Sequence, residues 1–153
     1  MTVTIIGAPR TKKTSSRVVK CGKFTRVLPS LAYLEWFHLA MQQAPRIRRE
    51  LAAQGATLPL AGAVEVSAVF YRERAQGDLC GFLQALGDLL QEPRHKPKRN
   101  GAGIIRDDAQ IDSWDGSRRA KDAARPRIEV TITPLGLGQA EMFGEGDDDG
   151  IEN

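Results

Sequence analysis

Apolar and polar side chains alternate in two segments of the chain, and both segments predict β-strands. The clearer segment covers residues 62–71, in which the apolar positions are Val64, Val66, Ala68 and Phe70. A period of two residues places these side chains on one face of an extended chain. Residues 127–133 alternate in the same way and predict the last strand. We expect residues 62–71 to form a central strand of a sheet.

The N-terminal part of the chain predicts a strand followed by a hairpin. The β-branched run Thr2–Ile6 is typical of a strand. Val18, Val19 and the segment Phe24–Leu28 lie on either side of Gly22, which predicts two strands joined by a tight turn at the glycine. Further along, residues 104–105 and 111–114 predict two short strands.

The first helix is predicted to begin after Ser30, a residue that caps helices well. Apolar residues then recur at helical spacing, at Leu31, Leu34, Phe37 (or His38) and Met41. Pro45 is expected to kink or restart this helix, because proline lacks the N–H that a helix interior needs. Ile47 and Leu51 then continue the pattern toward Gly55.

The second helix is the clearest in the sequence and covers residues 78–91. Its apolar residues fall within an arc of about 120° on a helical projection. These residues are Leu79, Phe82, Leu83, Leu86, Leu89 and Leu90. Asp78 opens the helix as an N-cap or first-turn acid. The residues predicted to lie on the opposite side, away from the core, are Asp78, Gly81, Gln84 and Asp88.

The order of these elements predicts an α+β fold. Strands and helices mix without regular alternation, which favours a single domain with a mixed β-sheet and two main helices packed on it. Residues 92–103 are rich in proline, glycine and basic residues and predict a mobile loop. We expect the domain to span residues 1–135, and residues 136–153 to form an acidic, disordered tail.

Charge is distributed unevenly along the chain. Six of the 19 acidic residues lie in residues 141–153, where there is no lysine or arginine. The rest of the chain therefore carries all 22 basic residues against the remaining acidic ones. A basic body of this kind indicates a polyanionic partner such as nucleic acid, although a solvated basic surface gives the same composition.

Two cysteines, Cys21 and Cys80, are too few for a disulfide scaffold. The sequence has no signal-peptide pattern and no apolar run of membrane-spanning length. These features predict a cytoplasmic protein without a membrane partner.

Five aspartates are the candidates for chemistry: Asp78, Asp88, Asp107, Asp108 and Asp112. Phosphodiester hydrolysis needs an activated water and neutralisation of developing negative charge, and Mg²⁺ held by aspartates supplies both. Because neighbouring side chains of a strand point to opposite faces, we expect only one of Asp107 and Asp108 to point into a site. The alternative is structural: Asp107 and Asp108 form a solvated turn, and Asp78 is only a helix cap.

In their order and spacing, several short motifs resemble the RusA-like Holliday junction resolvases (crossover junction endodeoxyribonucleases). The strongest is the segment Asp-Asp-Ala-Gln-Ile at residues 107–111, and the resemblance covers about residues 1–133. The other matching positions are Gly7, Ala8, Pro9, Lys12, Lys13, residues 29–33, Asp78, Asp88 and residues 127–133.

The resemblance implies a structure-selective endonuclease that resolves Holliday junctions or other branched DNA in recombination and repair. It implies that Asp78 and Asp108 hold Mg²⁺ (or Mn²⁺), with Asp107 as a further ligand or supporting group. It also implies a homodimer of phage or prophage origin, acting in a bacterial host cell.

Three positions depart from the family's pattern. Cys80 stands where the family has a second aspartate, Gly81 where it has asparagine, and Gln84 where it has lysine. Cysteine is a poor ligand for Mg²⁺, and the lysine would have oriented or neutralised a phosphate. The alternative function is therefore a catalytically inactive homologue that binds branched DNA. An enzyme acting on small molecules is disfavoured, since no cofactor motif is present.

Basic residues in three segments are expected to bind DNA phosphates, which gives affinity without reading sequence. They are Lys12, Lys13 and Arg17, then Arg94, Lys96, Lys98 and Arg99, then Arg118 and Arg119. The third group, which Lys121 extends, fits a solvated face equally well.

The tail contains one apolar pair, in the sequence Gln-Ala-Glu-Met-Phe. It resembles the pentapeptide with which bacterial proteins bind the sliding clamp, and this resemblance implies contacts by Gln139, Met142 and Phe143. The alternative is that Met142 and Phe143 fold back on the domain.

Overall fold

The computed structural model describes residues 1–12, 16–95 and 98–136, apart from the side chains of Cys21, His95, Lys98 and Arg99. The helices are α1 (Leu31–Gln42), α2 (Ala44–Ala53) and α3 (Leu79–Leu90). The first strands are β1 (Thr2–Ile6), β2 (Arg17–Cys21), β3 (Phe24–Leu28) and β4 (Val64–Arg72). The later strands are β5 (Arg94–His95), β6 (Lys98–Arg99), β7 (Ile111–Ser113), β8 (Arg118–Lys121) and β9 (Arg127–Pro134).

A mixed sheet forms the centre of the domain. Strands β1, β9 and β4 lie side by side, and β7 and β8 both pair with the remaining edge of β4. Strand β4 is antiparallel to β9 and parallel to β7 and β8. Its alternate residues from Val64 to Phe70 are buried. The predicted central strand and the predicted α+β fold with a mixed sheet are therefore confirmed.

The first predicted helix divides into α1 and α2, which gives three helices in the described part of the chain. Ser30 caps α1, and its hydroxyl oxygen accepts a hydrogen bond from the Tyr33 backbone N–H at 3.1 Å. Pro45 lies in the first turn of α2, where a missing N–H does no harm. The predicted restart at the proline is thus confirmed.

The buried face of α1 differs from the predicted apolar face. Leu31 and Leu34 are 57% and 42% exposed, whereas Tyr33, Trp36 and Ala40 are buried. The buried residues also follow helical spacing, and aromatic side chains bury more area than leucine. Because both faces of this helix are apolar, periodicity alone could not identify the one that joins the core.

Helix α3 packs its predicted stripe into the core: Phe82, Leu86, Leu89 and Leu90 are buried, and the Phe70 and Phe82 rings stack with centroids 5.3 Å apart. Gly81, which was predicted to face away from the core, is also buried. The reason is Thr11: atoms of its side chain would lie 3.1 Å from a Cβ at position 81.

The segment predicted as a mobile loop, residues 92–103, contains regular structure. Strands β5 and β6 form a short antiparallel hairpin. Residues 101–105 are buried, because Ala102 N donates to Leu89 O at 2.6 Å and Ile104 N donates to Leu90 O at 2.8 Å. The apolar side chains of Ile104 and Ile105 hold the glycines before them against the end of α3.

Strands β2 and β3 form a separate antiparallel hairpin, as predicted. Gly22 adopts a φ of 61° at its turn, which a two-residue hairpin loop requires and glycine permits. Val18, Phe24 and Val27 are exposed on this hairpin. Within the residues described, no helix combines the length and the apolar character that crossing a membrane requires.

Candidate functional site

The turn at residues 107–110 lies against the C-terminal half of α3, and Gln110 fixes its shape. The Gln110 side-chain oxygen accepts from the backbone N–H groups of Arg106 at 2.7 Å and Asp107 at 3.1 Å. Its amide nitrogen donates to the backbone oxygens of Leu60 at 3.1 Å and Gly62 at 2.6 Å. One side chain thus connects the turn to the segment before β4.

Asp107 stabilises the same turn. One oxygen of its carboxylate accepts from the Ala109 backbone N–H at 2.9 Å, and the other forms an ion pair with Arg94. With the Gln110 contact to the Asp107 backbone, this is the reciprocal arrangement of a capping box. Both oxygens of Asp107 therefore have partners within the protein.

Asp108 is exposed and lies over α3. A Cβ at Gly87 would lie 3.5 Å from the Asp108 Cβ and 3.8 Å from the Trp114 ring, so the glycine lets the turn approach the helix closely. Asp108 lines a pocket of about 340 Å³ together with Cys80, Leu83, Gln84, Gly87 and Trp114. The carboxylate forms no hydrogen bond or ion pair with another described side chain, so it remains available to a ligand.

The pocket brings together three positions that the resemblance singles out. The resemblance relates Cys80 and Gln84 to the second aspartate and the lysine of the RusA-like pattern, and both side chains line the pocket beside Asp108. Cys80 is a free, exposed thiol. A carboxylate at position 80 would share this pocket with Asp108.

A second pocket, of about 500 Å³, shares Gln84 and Asp108 with the first, and Lys12, Tyr33 and Asp88 also line it. Lys12 forms an ion pair with Asp88, whose side chain is only 14% exposed. Burial, and then the charge of Asp88, raise the pKa of Tyr33 above its usual value. The phenol therefore stays protonated at neutral pH.

Asp78 lies elsewhere on the helix. It is the N-cap residue of α3, although its side chain makes no capping hydrogen bond. One of its oxygens would lie 3.0 Å from a Cβ at Gly81, beside Thr11. Nine residues separate Asp78 from Gly87, which is roughly 13 Å along the helix axis at 1.5 Å per residue. Asp78 is therefore placed well away from the residue that Asp108 contacts.

These positions do not fit a metal ion held jointly by Asp78, Asp107 and Asp108. Across residues 1–12, 16–95 and 98–136, no three side chains of the His, Cys, Asp and Glu types are grouped closely enough to hold a metal. Mg²⁺ in phosphate-processing sites is usually held by one or two carboxylates, with waters and substrate phosphates completing its shell. Asp108 fits that smaller role.

Several basic residues predicted to bind DNA have partners in the protein. Lys12 pairs with Asp88 and Arg94 pairs with Asp107, while Arg17 Nε donates to Pro29 O at 3.4 Å. Arg119 donates to Gly77 O at 2.5 Å and so holds the segment before α3.

Arg118 is exposed on β8. The predictions for Lys13 and Lys96 lie outside the described residues, as do those for Gln139, Met142 and Phe143 in the tail. For Lys98 and Arg99, only the backbone is described.

The β2–β3 hairpin carries further basic residues, Lys20, Lys23 and Arg26, which were not among the predicted DNA-binding residues. The sequence pattern that could have identified them is a basic stretch without acids, because the first acidic residue of the chain is Glu35. Residues 10–26, which we call the basic N-terminal segment, carry seven lysines and arginines and no acid. This segment leads directly to Pro29, which lines the second pocket beside Asp108.

A scan of the chain against models of known protein families found no match. A search of curated proteins also found no match.

Proposed function

We propose that this protein binds branched DNA and hydrolyses one of its phosphodiester bonds at the pocket that contains Asp108. The observation that carries the proposal is the position of Asp108, an exposed carboxylate at the junction of two pockets. The resemblance to the RusA-like resolvases gives the reaction and the substrate.

The basic N-terminal segment supports a polyanionic substrate. Lys20, Lys23 and Arg26 extend from the domain on the β2–β3 hairpin, and their charges would contact backbone phosphates without reading bases. The chain passes from this hairpin through Pro29 to the edge of the second pocket. DNA held on the hairpin would therefore approach Asp108.

In this proposal Asp108 is the residue that holds Mg²⁺ or Mn²⁺. The ion would activate water and neutralise charge on the attacked phosphate. Gln84 has amide donors that can hydrogen-bond a phosphate oxygen, but it lacks the charge of a lysine. Lys12 lines the second pocket with Asp108, and its ion pair with Asp88 offsets its charge there.

The same proposal includes the oligomeric state, the location and a protein partner. A homodimer would present two such pockets to the two symmetry-related strands of a junction. The protein would act in the cytoplasm of a bacterial host, as a phage or prophage product, and the tail would recruit it to the sliding clamp.

A second candidate function is binding of branched DNA without cleavage. It is favoured by the engagement of both Asp107 oxygens and by a thiol at Cys80 in place of a carboxylate. Both leave the pocket poorer in metal ligands than the resemblance implies.

The test is cleavage of a labelled four-way junction with Mg²⁺ or Mn²⁺, using wild type, Asp108→Asn and Asp112→Asn. Asp112 is an exposed aspartate that lines neither pocket, so it is the matched control. We expect wild type and Asp112→Asn to cut, and Asp108→Asn to lose at least about a hundredfold in rate, about 2.7 kcal/mol at 1.36 kcal/mol per tenfold. Binding without cutting in either metal would establish the second function, and equal cutting by all three would refute the role of Asp108.

A further inference from the structure

A third pocket lies at the N-terminal end of α3, where Gly77 and Phe82 line it, and its charged lining residues are arginines. It has a volume of about 160 Å³, and its charged lining residues are Arg10 and Arg72. Its remaining lining residues are Thr11, Ser30, Ala32, Gly77 and Phe82, none of which is acidic. Neither arginine forms an ion pair within the described part of the chain.

Arg72 is fixed in its orientation. Its Nη1 donates to Gln76 O at 2.7 Å, and its guanidinium lies 5.0 Å from the centroid of the Phe82 ring. Burial, and then the nearby positive charge of Arg10, lower the pKa of Arg72. Two like charges held beside one pocket repel each other, and a bound anion removes that repulsion.

The pocket also offers neutral hydrogen-bond donors. Ser30 is 7% exposed, and its oxygen accepts from Tyr33, while the described residues provide no acceptor for its hydroxyl proton. Ala32 lies in the first turn of α1, where backbone N–H groups have no partner inside the helix. Such a turn with nearby arginines is a favourable environment for a phosphate group.

Two acidic side chains lie near the pocket, Glu73 and Asp78, and neither of them occupies the place of a bound anion. Glu73 lies with Arg10 and Arg72 along a neighbouring depression, and Asp78 lies on the Thr11 side. Neither lines the pocket itself. Among the residues described, the two arginines that line the pocket therefore have no carboxylate lining it with them.

We infer that this pocket is a phosphate-binding site, formed by Arg10, Arg72, the Ser30 hydroxyl and the first turn of α1. Building on the proposed function, we assign its ligand as a backbone phosphate of the bound DNA, at a distance from the bond that is cut. Its small volume suits one tetrahedral oxyanion. The site would anchor the substrate next to the second pocket, because Thr11 and Ser30 of this site directly neighbour Lys12 and Pro29 of that pocket in the chain.

The first arm of the test uses inorganic phosphate and no DNA. Thermal unfolding is followed for wild type, Arg10→Gln, Arg72→Gln and Arg49→Gln in phosphate, and in chloride of equal ionic strength. Arg49 is an exposed arginine on α2 that lies outside the pocket, so it is the matched control. A ligand that binds only the folded state raises the unfolding temperature by mass action.

We expect phosphate to raise the unfolding temperature of wild type and Arg49→Gln above the chloride value, and to lose this effect in both pocket variants. Arg10 is exposed, so Arg10→Gln remains a valid test if Arg72→Gln fails to fold. No difference between phosphate and chloride for wild type would overturn the inference, and so would an undiminished effect in Arg10→Gln. Loss in Arg49→Gln as well would identify an adventitious ion on the basic surface and would also overturn it.

The second arm measures the affinity for a four-way junction. We expect Arg10→Gln to bind the junction about tenfold more weakly, which corresponds to the loss of one charged hydrogen bond. The salt slope, which is the slope of the logarithm of the binding constant against the logarithm of the salt concentration, should be smaller by about 0.9. An unchanged affinity, with the phosphate effect lost, would keep the phosphate site but assign it to a free phosphate or a small phosphate ester. If wild type binds phosphate but no DNA, the proposed function fails and the site stands.

Discussion

Replacement of Gln110 by alanine tests whether the turn that presents Asp108 depends on one side chain. The Gln110 amide makes four hydrogen bonds, with lengths between 2.6 and 3.1 Å, to backbone groups of Leu60, Gly62, Arg106 and Asp107. These groups belong to two segments that are distant in sequence. The variant would therefore release the turn from the start of β4.

The loss in the free energy of unfolding depends on which backbone partners of Gln110 become hydrated in the variant. Gly62 and Arg106 are exposed, so their groups become hydrated when the side chain is removed. Leu60 is buried and Asp107 is half-buried, so two hydrogen bonds count fully. At about 0.5–1.5 kcal/mol each, the free energy of unfolding falls by about 1–3 kcal/mol. For a domain of this size, the unfolding temperature falls by roughly 3–10 °C.

The assay is equilibrium unfolding in urea, followed by tryptophan fluorescence, with Gln42→Ala as the control. Gln42 is exposed on α1, and among the residues described its side chain hydrogen-bonds to His38, one turn away. The control should change the free energy of unfolding by less than about 0.5 kcal/mol. Gln110→Glu should be no more stable than Gln110→Ala, because its carboxylate would face two carbonyl oxygens. The reasoning is refuted if Gln110→Ala is as stable as Gln42→Ala.

Three further predictions follow from the pockets and the surface ion pairs. Cys80→Asp places a second carboxylate beside Asp108 and should tighten Mn²⁺ binding at least about tenfold in calorimetry, whereas Cys80→Ser should not. Asp88→Asn releases Lys12 and should strengthen DNA binding, with a salt slope steeper by about 0.9; an unchanged slope would contradict this. Hydrogen bonds from Arg127 and then the Arg125 backbone lower the pKa of Asp122. In urea titrations wild type should therefore exceed Asp122→Asn in stability above about pH 4, and lose this advantage as the pH falls further.

The sequence by itself determined the strands and helices with strong periodicity. Strands β4 and β9 and helix α3 were predicted within one or two residues, because each has one clearly apolar face, and β1 was predicted from its β-branched run. Ser30, Pro45 and Gly22 marked a helix start, a helix restart and a turn through their own backbone chemistry. These signals are local, so a single sequence contains them.

The tertiary structure decided which faces pack and which distant residues meet. Helix α1 has apolar residues on two faces, and only the packing of the whole core selects Tyr33 and Trp36 over Leu31 and Leu34. Gly81 is buried because Thr11, which is 70 positions earlier in the sequence, packs on it. Periodicity cannot identify such a partner.

The candidate site shows the same division. The motif at residues 107–111 identified Asp108 as a candidate, but whether it meets Cys80 and Gln84 rather than Asp78 depends on where the turn crosses α3. That crossing is set by the close approach at Gly87 and by the Gln110 hydrogen bonds to the segment before β4. A sequence specifies which side chains can bind a metal or a phosphate, whereas the distances between them arise only when the chain packs.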